Sequence, residues 1–136
     1  MNQPTQIDPA ALERLRRLGG KEFALKMTDL FLSYGAQKIG EARQSLEQSN
    51  PTEVAKALHA IKSSAGNVGA LEVQDLAARI EQLATQSQSD SLATLMQQLE
   101  LSFARTKLEL ETNRQSQAHA TGITKSIPPK PNSEAN

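Results

Sequence analysis

The chain has 136 residues, enough for one domain. Its formal net charge is zero, which excludes a strongly basic nucleic-acid binder; aromatic residues make up only 3%, which favours a helical protein with an aliphatic core over a β-sandwich or barrel. Cysteine is absent, so disulfides and thiolate metal sites are excluded as well.

No apolar run approaches the roughly 20 residues that span a bilayer. The first residues, MNQPTQIDP, lack the basic stretch followed by an apolar one that marks a signal peptide. The expectation is a cytoplasmic protein with no membrane segment.

Residues 1–7 are expected to be disordered. A short first helix starts at Asp8-Pro9, with Asp8 as the cap and Pro9 in the first turn. Leu12, Leu15 and Leu18 recur at helical spacing, Glu13 and Arg17 are placed to pair, and Gly19-Gly20 stops the segment. From Lys21 to about Gln48 the steps between Phe23, Met27, Leu30, Phe31, Tyr34, Ala42 and Leu46 predict a long amphipathic helix with these residues in the core. Gly35 and Gly40 weaken its middle or mark close helix contacts.

The stretch SNPTEV opens the next helix: Asn50 caps, Pro51 takes the first position, and Glu53 stands where a capping-box partner belongs. The helix should end near Val68, with Gly69 as the left-handed residue behind it. A fourth helix, about 70–85, carries Val73, Leu76, Ala77, Ile80, Leu83 and Ala84. Ser89 or Asp90 caps a fifth, with Leu92, Leu95, Met96, Leu99, Phe103, Thr106 and Leu110 on its stripe.

Residues 113–136 lose the pattern and are expected to be a disordered tail, His119 within it being inert. The fold expected over 8–112 is all-α: an up-down-up-down antiparallel four-helix bundle with a short extra N-terminal helix.

The chemistry concentrates in LHAIKSSAGNVGAL. At 100° per residue, Val54, Leu58, Ile61, Ala65 and Val68 fall within roughly 40° of one line, which must face the core. His59 lies roughly 140° from that line, on the outer face. Its neighbours on adjacent turns are Ala55, Lys56, Lys62, Ser63 and Gly66. An outward imidazole has no packing role. A lysine one turn away suits an anion, and small residues give a partner room to approach.

Those are the needs of a phosphoryl acceptor: imidazole as the nucleophile, an amine to meet the charge on the equatorial oxygens. The chain has no phosphate loop of the GxxxxGK[ST] type and no carboxylate cluster suited to Mg²⁺, so a partner must supply donor and metal. A metal site at His59 is disfavoured, because it lacks a second histidine or a carboxylate at i±3 or i±4. Nucleic-acid binding lacks both a basic stripe and stacking aromatics.

From His59 to Gly69 the chain resembles the histidine-containing phosphotransfer (HPt) domains of bacterial phosphorelays. The family pattern is histidine, any residue, an aliphatic, lysine, small residues, then an aliphatic–glycine pair. Here it reads His59, Ala60, Ile61, Lys62, Ser63 to Gly66, and Val68-Gly69. The resemblance covers about 7–110, including LAARIEQLA on the fourth helix.

The resemblance implies that His59 takes a phosphoryl group from a receiver-domain aspartate and passes it to another. Lys62 contacts the phosphoryl oxygens, and Mg²⁺ sits on the receiver, so the chain binds no cofactor of its own. The partners implied are response-regulator receiver domains and a hybrid sensor histidine kinase. The carrier is expected to be a free-standing monomer with no kinase activity. Docking is expected on the outer face of Ala55, Lys56, Ser63 and Gly66, with apolar atoms of the first helix.

Glu81 matches the family position that bonds the histidine ring; a solvated helix charge is the plain alternative. Ser63 stands where many members have glycine, and Ser63 and Ser64 either bond the phosphoryl group or a backbone carbonyl one turn back. The competing functions are a non-transferring adaptor that binds a receiver or kinase, and a helical scaffold with an incidental histidine.

Overall fold

The computed structural model describes residues 7–86 and 89–126, with the backbone alone for Ser89 and for 114–126. Among the described residues, four helices make up the fold: α1 (Pro9–Glu47), α2 (Pro51–Asn67), α3 (Leu71–Thr85) and α4 (Ser89–Ser126). They form an antiparallel up-down-up-down bundle. Short connections at 48–50 and 68–70 force consecutive helices to reverse and lie side by side. The extra N-terminal helix is the part of α1 before Gly20, where φ 89° and ψ 177° break the helical path. Glycine reaches that backbone conformation without the Cβ penalty.

The starts of α1 and α2 follow the expected capping chemistry. Of the two caps expected for α4, the Ser89 side chain lies outside the described ones and Asp90 stands in the first turn of the helix. Asp8 accepts from the Ala10 N–H at 3.1 Å, and Asn50 accepts from the Glu53 N–H at 3.3 Å. The capping box at Asn50 is only half made, because the Asn50 N–H donates to the Ser45 carbonyl at 2.9 Å. The Glu53 carboxylate turns instead to Lys56 at 3.4 Å. Glu13 likewise pairs with Arg16, at 3.4 Å, rather than with Arg17.

Behind α2, Gly69 takes φ 79° as expected, and a Cβ there would stand 2.6 Å from the Asp8 carbonyl oxygen. The Asp8 N–H donates to the Gly69 carbonyl at 2.8 Å, and Ile7 forms an isolated antiparallel bridge with Ala70. Ile7 is thus buried in the core rather than part of a disordered leader; 1–6 lie outside the described residues. At the other end α4 stays helical to Ser126, well beyond the expected boundary at 112, and 127–136 lie outside the described residues.

The stripes of α2, α3 and α4 are buried as their periodicity predicts, with Leu83 and Leu95 only partly covered. The stripe of α1 is turned. Leu12, Leu15, Phe31 and Ala42 are buried as expected, but Ala24, Thr28, Gly35 and Ile39 are buried as well, whereas Leu18, Phe23, Leu30 and Tyr34 are exposed. Small residues face inward where α1 meets its neighbours, above all α2. On the α4 side the Phe103 ring fills the space, so that a Cβ on Gly35 would stand 2.7 Å from it, and Phe31 and Phe103 meet at 5.6 Å between centroids. Gly40 has open space around it and marks no contact.

Candidate functional site

The site is built by two helices. Helix α2 buries Val54, Leu58, Ile61 and Ala65, which turns His59 outward with 69% of its side chain exposed. Helix α3 buries Val73, Leu76, Ala77 and Ile80, and Glu81 follows at the edge of that stripe, facing α2.

Glu81 joins the two reactive groups. Its Oε2 lies 2.8 Å from His59 Nδ1, and its Oε1 lies 2.7 Å from Lys62 Nζ. Burial pushes the Glu81 carboxyl up, but the hydrogen bonds from Lys62 and His59 and their charges outweigh it, and the net shift is downward. An ionised carboxylate only accepts hydrogen bonds. The imidazole therefore carries its hydrogen on Nδ1 and, when neutral, keeps the lone pair on Nε2. The arrangement offers an exposed nucleophilic nitrogen on a ring that shares one carboxylate with a cation.

The remaining expected residues divide. Lys56 and Ser63 are exposed on the outer face. Ala55 is buried, contrary to its expected place on a partner face. The reason is geometric: Ala55, Lys62 and Gly66 fall at i, i+7 and i+11, on the flank of α2 where Lys62 and Gly66 meet α3. Gly66 is half-buried there, and a Cβ on it would stand 2.6 Å from Gln74 Nε2. Its small size makes room within the molecule. The Ser64 hydroxyl donates to the Ile61 carbonyl at 3.1 Å, the backbone alternative.

Gln74 is the residue that the sequence reading missed. Its Nε2 donates to the Lys62 carbonyl at 3.2 Å. The available signal was its position two turns before Glu81 on the same face of α3, opposite a glycine. Among the described residues, no three His, Asp or Glu side chains are grouped to hold a metal, and no helix is long and apolar enough to cross a membrane.

Comparison with known proteins adds to this geometry. The family model described as Hpt domain matches residues 26–116. Three solved structures share the fold. Histidine-containing phosphotransfer protein B from Pseudomonas aeruginosa aligns with a TM-score of 0.78 at 18% identity, covering 84% of this chain and 98% of its own. A histidine-containing phosphotransfer protein from rice gives 0.76 at 21% identity, over 85% of each chain. The maize protein ZmHP2, also titled a histidine-containing phosphotransfer protein, gives 0.74 at 21%, over 82% of this chain and 89% of its own. No curated protein matches in sequence.

Proposed function

The chain belongs to the Hpt domain family, and we propose that it is a phosphorelay carrier with His59 as the phosphorylated residue. The observation that carries this reading is the exposed His59 ring whose Nδ1 is engaged by Glu81, leaving Nε2 for a partner.

The Nε2 lone pair attacks the phosphorus of a receiver's aspartyl phosphate. The N–P bond forms, the P–O bond to the aspartate breaks, and the receiver regains its carboxylate. The ring becomes a phosphoimidazolium whose Nδ1–H stays on Glu81, so no proton has to leave. Onward transfer to a second receiver reverses these steps. Lys62 meets the negative charge on the equatorial oxygens. Mg²⁺ and the other charged groups come from the receiver, so the chain is a carrier rather than a kinase.

The partners are response-regulator receiver domains and a hybrid sensor histidine kinase in the cytoplasm, met by a monomer. Docking uses the face around His59 that includes Lys56 and Ser63. The exposed Phe23, Leu30 and Tyr34 of α1 supply apolar contact.

The test is transfer from a panel of phosphorylated receiver domains to the purified chain. The expected result is acid-labile, base-stable phosphate on the wild type and none on His59→Gln. Binding without label would replace this reading with that of a non-transferring adaptor.

A further inference from the structure

Lys62 is held at both ends by one helix. Its ammonium meets Glu81 Oε1 at 2.7 Å, and its main-chain carbonyl accepts from Gln74 Nε2 at 3.2 Å. Gln74 and Glu81 are seven residues apart on α3, so they project from one face two turns apart.

The Lys62 carbonyl already has a helix partner in the N–H four residues on, which is that of Gly66. A carbonyl oxygen has two lone pairs, and Gln74 uses the second. The bond depends on the missing side chain at position 66: a Cβ there would stand 2.6 Å from Gln74 Nε2 and 3.3 Å from its Cδ. Gln74 is half-buried. An amide donor reaching across two helices into space left by a glycine is a built contact rather than a solvated surface group.

We propose that Gln74 is a positioning residue for phosphoryl transfer. It acts through Lys62 and has no contact with the phosphoryl group. This rests on the carrier reading above. A lysine stem has four rotatable carbons, and its ammonium is placed well only if the backbone beneath it is fixed. Glu81 alone fixes the far end. With Gln74 on the carbonyl, α2 and α3 keep one register, so the ammonium keeps its place on the carboxylate that also holds the His59 ring when a phosphoryl group arrives. Transfer is sensitive to such placement, because about 1 Å of error in a reacting group costs on the order of a hundredfold in rate.

The test uses Gln74→Met in the full chain, which keeps the volume and helix propensity and removes the donor. Transfer from a phosphorylated receiver is measured against receiver concentration, in the wild-type background and in Lys62→Ala. The expected result is a maximal rate about tenfold lower, an unchanged half-saturating receiver concentration, and no further loss in Lys62→Ala. An unchanged half-saturation also reports an intact fold and docking face.

A wild type that transfers beside an unaffected Gln74→Met overturns this inference and leaves the carrier reading standing. So does a tenfold loss that persists in full in Lys62→Ala, since Gln74 would then act by another route. A wild type that accepts no phosphoryl group from the receivers removes the carrier reading, and this role with it.

Discussion

His59 and Glu81 are 22 residues apart in the chain and on different helices, yet Nδ1 and Oε2 meet at 2.8 Å. The pairing fixes the tautomer. A free neutral imidazole places its hydrogen on either nitrogen, whereas this one is held with Nδ1 as the donor. Glu81→Ala should release the ring and free the Lys62 ammonium together. Nitrogen-15 NMR of the histidine ring should show a mixed tautomer population in the variant and one dominant form in the wild type. Transfer should slow by about tenfold to a hundredfold, as for other residues that orient a reactive histidine. Identical ring spectra for the two proteins would remove Glu81 from this role.

Gly35 and Gly40 share helix α1 and predict opposite outcomes for the same change. At Gly35 the new methyl would stand 2.7 Å from the Phe103 ring in a buried contact, and such overpacking costs about 1–3 kcal/mol. At Gly40 it meets nothing within 4 Å, and alanine gains up to about 1 kcal/mol in helix propensity. Urea unfolding of Gly35→Ala and Gly40→Ala should move the midpoint in opposite directions. A shift of the same sign for both would contradict the tight Gly35–Phe103 contact.

These two glycines also mark where the sequence was readable. Val54, Leu58, Ile61, Ala65 and Val68 are large or unambiguous enough to define the α2 face, and that face alone places His59 outside. Helix α1 misleads because its inward face is small. Ala24, Thr28 and Gly35 are buried beside Phe31, while Phe23, Leu30 and Tyr34 stay exposed. Periodicity weights bulk, but a helix that packs closely on its neighbour selects for the lack of it. The same rule hides Gly66. On a wheel it lies on the outer side near His59; only the path of α3 shows that Gln74 fills the space. Ala55 is covered on the same flank. The His59–Lys62 pair was legible as spacing within one helix, whereas the Glu81 contact needed the relation between two.

Thr106 is fully buried, and its hydroxyl has no hydrogen-bond partner among the described residues. A buried unpaired hydroxyl forfeits its hydration without return, at a cost of about 1–3 kcal/mol. Valine has nearly the same shape and a similar helix propensity. Thr106→Val should therefore raise stability by about 1 kcal/mol in urea unfolding, with transfer unchanged because the site is on α2 and α3. Destabilisation by that amount would mean that the hydroxyl is satisfied in solution.

Two carboxylates tie α4 to its neighbours and make the bundle sensitive to acid. Glu100 takes two bonds from Arg43 on α1, at 2.9 and 2.6 Å. Glu72 on α3 accepts from Ser102 at 2.7 Å and Arg105 at 2.9 Å. The Arg43 hydrogen bonds hold Glu100 below its ordinary 4.5 despite partial burial. The Ser102 bond, with Arg105 adding to it, does the same for Glu72. A carboxyl lowered in the folded state adds stability that is complete above its unfolded value. That stability is lost as the pH falls through the folded value, because the unfolded chain then binds more protons. Melting temperature should therefore hold steady down to about pH 5 and fall below it. The double variant Glu72→Gln, Glu100→Gln should melt below the wild type at neutral pH. The gap between the two should close as the pH falls through the carboxylate range, because acid removes from the wild type what the substitutions already removed. A gap that stays constant with pH would show that these bridges hold α4 by shape alone, with no contribution from the charge.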